Sequence, residues 1–131
     1  MKPQYIEINS IGTYYWSDKA MNTLHREDGP AIDCVNGTKH WYLNGKYHRV
    51  DGPAIEYCNG IKIWLINDKY HREDGPAIVD SKGYKAWYIN GDRVTQEEHA
   101  RLTRKVPTIN INGKEFTVKE LNSLIKTAEG N

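Results

Sequence analysis

The sequence predicts a mainly β fold: an antiparallel meander of stacked 23-residue β-hairpin repeats, capped by a C-terminal helix-hairpin-helix. Three observations carry this. His25-Arg26-Glu27-Asp28-Gly29-Pro30-Ala31-Ile32 recurs as His48-Arg49-Val50-Asp51-Gly52-Pro53-Ala54-Ile55 and again as His71-Arg72-Glu73-Asp74-Gly75-Pro76-Ala77-Ile78, with a period of 23 residues both times. In phase with it, Asn36-Gly37, Asn59-Gly60 and Lys82-Gly83 are followed by Lys39, Lys62 and Lys85, then by Trp41, Trp64 and Trp87. Each of these turns lies between two short β-rich runs, as Ala31 to Val35 and Thr38 to Leu43 flank Asn36-Gly37, which indicates a two-residue hairpin turn and one hairpin per unit.

The elements follow in chain order. Tyr5 to Trp16 reads as a divergent first hairpin around Gly12, with a loop after it two residues longer than in later units, as a terminal repeat that caps the core. The three full units begin at His25, His48 and His71. A second turn at Asn44-Gly45, Asn67-Asp68 and Asn90-Gly91 leads into the next unit, and Asp-Gly-Pro combines a glycine free to take unusual dihedrals with a fixed φ at proline. The fourth unit stops after Trp87-Tyr88-Ile89-Asn90-Gly91, where Thr95 and Glu98 open a short helix that should end before Pro107. Thr108 to Phe116 reads as a further hairpin, and Thr117 with Glu120 caps a last helix bearing Leu121, Leu124 and Ile125, with a tail to Asn131 expected to fray. The division is a repeat domain over 1–94 and a C-terminal α/β cap over 95–131, packed on the repeat stack as a lid on its open edge.

Strand alternation assigns the faces. Trp41, Trp64 and Trp87, with Leu43, Ile66 and Ile89, are expected to form the core ladder, and Trp16 serves the same role in the first hairpin. The opposite face carries His40, Ile63 and Ala86 with Tyr42, Leu65 and Tyr88, and is either covered or a partner surface.

Composition narrows the function classes. Eighteen basic and 17 acidic residues give a net charge of +1 without a basic stripe, which argues against nucleic acid as a partner. No apolar run approaches a membrane span and Met1 to Ser10 lacks a signal-peptide core, so a soluble, cytoplasmic protein is expected, with Cys34 and Cys58 as free thiols.

The repeated His, Arg and Asp occur in three equivalent settings, whereas catalysis depends on one unequal constellation, so no enzyme is expected and no cofactor. Equivalent histidines in successive hairpins stand about 9 to 10 Å apart, too far to share a zinc ion, so no metal site is expected. In the structural reading Asp28, Asp51 and Asp74 bond their own turns, while Arg26, Arg49 and Arg72 pair with carboxylates or lie over neighbouring aromatic rings. In the functional reading Arg26, Arg49 and Arg72 with His25, His48 and His71 form a row that grips an anionic, nucleotide-type ligand.

The run Trp41 to Lys62 (WYLNGKYHRVDGPAIEYCNGIK) resembles the MORN repeat over roughly residues 16 to 93, in a His-Arg-x-Asp-Gly-Pro-Ala form similar to that of tailed-phage and giant-virus proteins. It departs from the MORN pattern by replacing His-Gly-x-Gly, so membrane-lipid binding is not carried over. The resemblance implies a protein-binding scaffold, and more narrowly a phage accessory protein that binds and inhibits a host defence or toxin protein in the host cytoplasm, through the aromatic face of Tyr42, Leu65, Tyr88, His40 and Ile63 or through the cap. Such a module should form a stoichiometric complex that survives salt. The edge strand at Tyr5 to Ile8 also leaves room for a homodimer.

Overall fold

A computed structural model of the chain describes residues 4–104 and 107–130. Its strands are β1 (Tyr5–Ile8), β2 (Gly12–Trp16), β3 (Ile32–Cys34), β4 (Lys39–His40), β5 (Tyr42–Leu43), β6 (Lys46–Tyr47), β7 (Ile55–Glu56), β8 (Lys62–Ile63), β9 (Leu65–Ile66), β10 (Lys69–Tyr70), β11 (Ile78–Val79), β12 (Lys85–Ile89) and β13 (Asp92–Val94). The C-terminal part adds α1 (Gln96–Leu102), β14 (Thr108–Ile111), β15 (Lys114–Thr117) and α2 (Val118–Glu129), and Asn131, the end of the expected frayed tail, lies outside the described residues.

The meander is a nine-stranded antiparallel sheet in the order β1-β2-β3-β4-β7-β8-β11-β12-β13. β5 with β6, and β9 with β10, stand outside it as separate two-stranded ribbons, so these units hold two hairpins where the sequence suggested one. The chain changes partner at the tryptophan. Trp41 donates its N–H to the Ala54 carbonyl in the main sheet at 2.7 Å, while its own carbonyl accepts from His48 across the ribbon at 3.1 Å. Trp64 repeats this with Ala77 and His71, and Tyr15 with Ala31 and His25. Tyr15, not Trp16, is therefore the first unit's counterpart of the tryptophans. The loop after it is three residues longer, ten from Tyr15 to His25 against seven from Trp41 to His48. Trp16 instead pairs with Tyr5, stacks on Tyr14 and, among the described residues, buries its indole N–H without a partner.

The two sets of turns differ in backbone. In the ribbons both central residues are left-handed, as at Asn44 (φ 51°) and Gly45 (φ 79°), the two-residue geometry whose twist matches the strands. In the main sheet only the glycine of Asn36-Gly37 is left-handed, and its N–H returns to Cys34 at 3.0 Å, a longer loop than the expected two-residue turn.

Directly opposed residues point to one face of a sheet. One row runs Tyr14, Ile32, His40, Ile55, Ile63, Ile78 and Ala86, and it is apolar apart from His40. The adjacent row, Asp33, Lys39, Glu56, Lys62, Val79 and Lys85, faces the other way with alternating charge over its first four members. The apolar row is the core side: Ile55 packs with Ala54 and Leu65, and Trp41, Tyr47 and Ile63 close around them. Ala31, Ala54 and Ala77 are fully buried, which leaves no room there for a larger side chain. The core is thus built from the Asp-Gly-Pro-Ala alanines and the isoleucines after them, with the tryptophans half-buried at its margin.

Histidine ties each unit to the next. The Nδ1 atoms of His25, His48 and His71 accept the backbone N–H of Asn44, Asn67 and Asn90 at 2.9, 3.2 and 3.0 Å, which requires a bare Nδ1 in each ring. His48→Ala should cost about 1 kcal/mol, the net worth of such a bond, while His48→Asn, whose side-chain oxygen can take the place of Nδ1, should recover most of it. Thermal melts of the two variants check this.

At the C-terminal end α1 starts on the Thr95 cap, as the sequence indicates, and lies against β12. His99 is buried in α1 and donates from Nε2 to the Arg72 carbonyl at 2.6 Å. α2 begins with the expected Thr117 and Glu120 capping box, and the backbone N–H of Thr117 holds the Glu120 carboxyl below its ordinary pKa. β15 and α2 pack on each other, while Ile109, Ile111, Val118, Leu124 and Ile125 remain about half exposed.

Candidate functional site: clefts between consecutive units

Each repeated arginine is held on four sides. The guanidinium of Arg49 lies 3.9 Å from the centre of the Trp41 ring, its Nε donates to Asp51 at 3.0 Å, and its terminal nitrogen donates to the Pro53 carbonyl at 3.1 Å. The fourth side is Gly52, where a Cβ would come within 2.8 Å of the guanidinium carbon. Arg72 repeats the arrangement with Trp64, Asp74, Pro76 and Gly75, and Arg26 does so with Tyr15, Asp28, Pro30 and Gly29. Gly29, Gly52 and Gly75 are not left-handed. They supply space for the guanidinium rather than the unusual dihedral that Asp-Gly-Pro suggested.

The carboxylates serve the arginine before their own turn. The Arg26 guanidinium holds the Asp28 carboxyl below the ordinary range, and Arg72 does the same to Asp74, in both cases chiefly through the hydrogen bond. Each carboxylate's own backbone N–H contributes less than its arginine.

Between consecutive units the chain leaves open clefts. One, of about 540 Å³, lies between the Arg26 to Gly29 loop and the wall of Trp41, Leu43, His48 and Arg49. The next, of about 730 Å³, lies between the Arg49 to Pro53 loop and the wall of Trp64, Ile66, His71 and Arg72. The second lining is the first moved on by 23 residues. Leu43 and Ile66, expected in the core with the tryptophans, therefore line these clefts. Each wall carries a stacked Trp–Arg pair, and each rim carries carboxylates that are largely in water, with Asp28, Asp51 and Asp74 side chains 86, 82 and 84% exposed.

Charge in the clefts is fixed by simple counting. The first holds Arg26 and Arg49 against Glu27, Asp28 and Asp51, and the second Arg49 and Arg72 against Asp51, Glu73 and Asp74, so each carries a net −1 with its histidine neutral. The row of Arg and His read from the sequence as an anion grip is brought together, but every guanidinium already has a carboxylate partner. Glu27, Val50 and Glu73, at the variable position between Arg and Asp, line the clefts and went unnoticed in the sequence. Their only signal is that position's place in the repeat.

The residues proposed as an aromatic partner face are used internally. Leu65 is buried at 5% exposure, and Ile63 and His40 belong to the core row. Tyr42 lies 4.2 Å from Tyr47, and Tyr88 lies 5.0 Å from Tyr70, ring centre to ring centre. Burial pushes the Tyr42 hydroxyl pKa well up. The carbonyls of Tyr42, Leu65 and Tyr88 accept the N–H of Arg26, Arg49 and Arg72. Alternation along Lys39 to Leu43 missed this because the strand breaks at Trp41.

His40 gives the fold a pH dependence. It is half-buried beside Tyr47, whose hydroxyl lies 3.3 Å from its Nδ1, and against the edge of Tyr57, and burial lowers its pKa from 6.5. The unfolded chain takes up that proton before the folded one does, so stability is full above pH 6.5 and falls as pH drops towards the lower folded value. Urea midpoints should fall between about pH 7.5 and about pH 5.5, and His40→Gln should remove part of that fall.

Among the described residues no three metal-ligating side chains gather, and no helix is long and apolar enough to cross a membrane. No protein-family model, curated protein or solved structure matches the chain.

Proposed function

We propose that the chain is a non-enzymatic protein-binding module, a MORN-like repeat scaffold that offers a partner one cleft per junction between units. The observation that carries this is the recurrence, 23 residues on, of a cleft with the same apolar wall and the same charged rim. A row of equivalent shallow sites suits an extended surface on another protein, whereas a reaction needs one unequal site. The resemblance of the repeat extends this reading to a phage accessory protein that binds and inhibits a host defence or toxin protein. Pairing of every repeated arginine with its own aspartate favours a protein partner over sequestration of an anionic nucleotide.

Val50 makes the test clean, because it lines both clefts and is 82% exposed. Tagged chain should capture a stoichiometric protein from bacterial lysate, and Val50→Trp, which fills the shared rim, should lose it while keeping the wild-type melting temperature. Release of a nucleotide with no captured protein would move the function to ligand sequestration.

A further inference from the structure

We infer that the clefts take a basic, extended protein segment that places one cationic side chain in each cleft and repeats them every third residue. This rests on the protein-binding reading above and names the chemistry of the partner. Two independent features carry it: the charge of each cleft and the distance between them.

Each cleft carries a net −1, so one incoming cation neutralises it and a second would not be matched. The acceptors are in place. Asp28, Asp51 and Asp74 each give one oxygen to arginine, and no side chain among the described residues takes the other. Glu27 and Glu73 stand beside them on the rims, each within 3.7 Å or less of its neighbouring histidine Nε2. An anion would meet these exposed carboxylates first and the paired guanidiniums only behind them. The tryptophan and the leucine or isoleucine of each wall offer apolar surface along which the methylenes of an arginine or lysine can lie, with the charge at the rim.

The spacing selects the conformation. The walls of the clefts start at Trp41 and Trp64, the residues that follow β4 and β8, and those strands are two positions apart in the sheet, so equivalent points recur at about 9 to 10 Å. A polyproline II segment returns a side chain to the same direction every three residues, a rise of about 9.3 Å. A β-strand does so every two residues, at about 6.7 Å, and an α-helix every turn, at about 5.4 Å. Only the polyproline II repeat matches the clefts. Val50 interrupts the acidic rim between two units that carry glutamate at that position, which makes it the natural place to alter the charge.

The probe is a fluorescent peptide of four Arg-Pro-Pro triplets, compared with a peptide of the same residues in which the four arginines are contiguous. Fluorescence anisotropy on the full chain should show the triplet peptide binding about tenfold more tightly than the contiguous one, with affinity falling as salt rises. Val50→Glu should tighten the triplet peptide about fivefold and Val50→Lys weaken it about fivefold, one exposed charge interaction in each direction. Equal binding of the two peptides, or no response to the Val50 charge, overturns the inference. If a lysate partner is captured and lost on Val50→Trp while neither peptide binds, the protein-binding reading stands and this inference alone falls.

Discussion

Gly52→Ala should destabilise the chain by about 2 kcal/mol, and should cost nothing further once Arg49 has been replaced by alanine. The methyl group would stand 2.8 Å from the guanidinium carbon, so the arginine must leave. What is lost with it is set by burial. The Arg49 side chain is 23% exposed and its stacking on Trp41 is worth about 1 kcal/mol, with a comparable or larger contribution from the charged hydrogen bond to the Pro53 carbonyl. The ion pairs add little, because Asp51 is 82% in water and Glu56 meets the guanidinium only at 3.5 Å. In the Arg49→Ala background the space is already empty and Gly52 is not left-handed, so alanine should be neutral there, or stabilise by about 0.5 kcal/mol through a stiffer unfolded chain. Urea titrations of the four chains close the cycle. A cost of about 2 kcal/mol that persists without Arg49 would show that the glycine serves the backbone instead.

This glycine marks how far the sequence could be read. The period, the meander, both helix caps and the stacking of arginine on an aromatic ring were all legible, because each follows from residues close together in the chain or from the repeat itself. The reason for glycine in Asp-Gly-Pro was not. Turn chemistry and a need for space select the same residue, and only the position of a side chain three residues back separates them.

The faces were hidden for a similar reason. Lys39 to Leu43 alternates like one strand, and what breaks it is the Trp41 N–H turning to Ala54, thirteen residues on. After that break the even and odd positions no longer keep their sides, so alternation assigns Leu65 to the face opposite the core, covered or open to a partner, and Leu43 and Ile66 to the core. Alanine hid the true core. In a motif read as a turn, three small residues gave no hint of complete burial. The clefts could not be read at all, since each is made by two units meeting and neither unit contains one.

Leu65→Ala is expected to cost about 3 kcal/mol, within the range for removing a buried leucine from a core that cannot fully collapse. Leu65 is 5% exposed and closes on Ala54 and Ile55, with Trp41, Tyr47 and Ile63 around them. A domain of this size holds roughly 5 to 15 kcal/mol in all, so the variant should melt far below the wild type. Tyr84→Ala, at a side chain left half in water, should stay within about 0.5 kcal/mol and serves as the control. Were Leu65 an anchor on an open partner face, its variant would instead keep its melting temperature and lose only binding, so one thermal scan separates the two roles. The result should also depend on Gly52. The Leu65 carbonyl accepts the Arg49 N–H, and the ring under Arg49 packs against the Leu65 cluster. Loss of the guanidinium and loss of the leucine therefore loosen the same tryptophan from opposite sides. The double variant Gly52→Ala with Leu65→Ala should depart from the sum of the single costs by about 0.5 kcal/mol or more, as contacting sites do, whereas Gly29→Ala with Leu65→Ala should come closer to additive because its arginine rests on Tyr15.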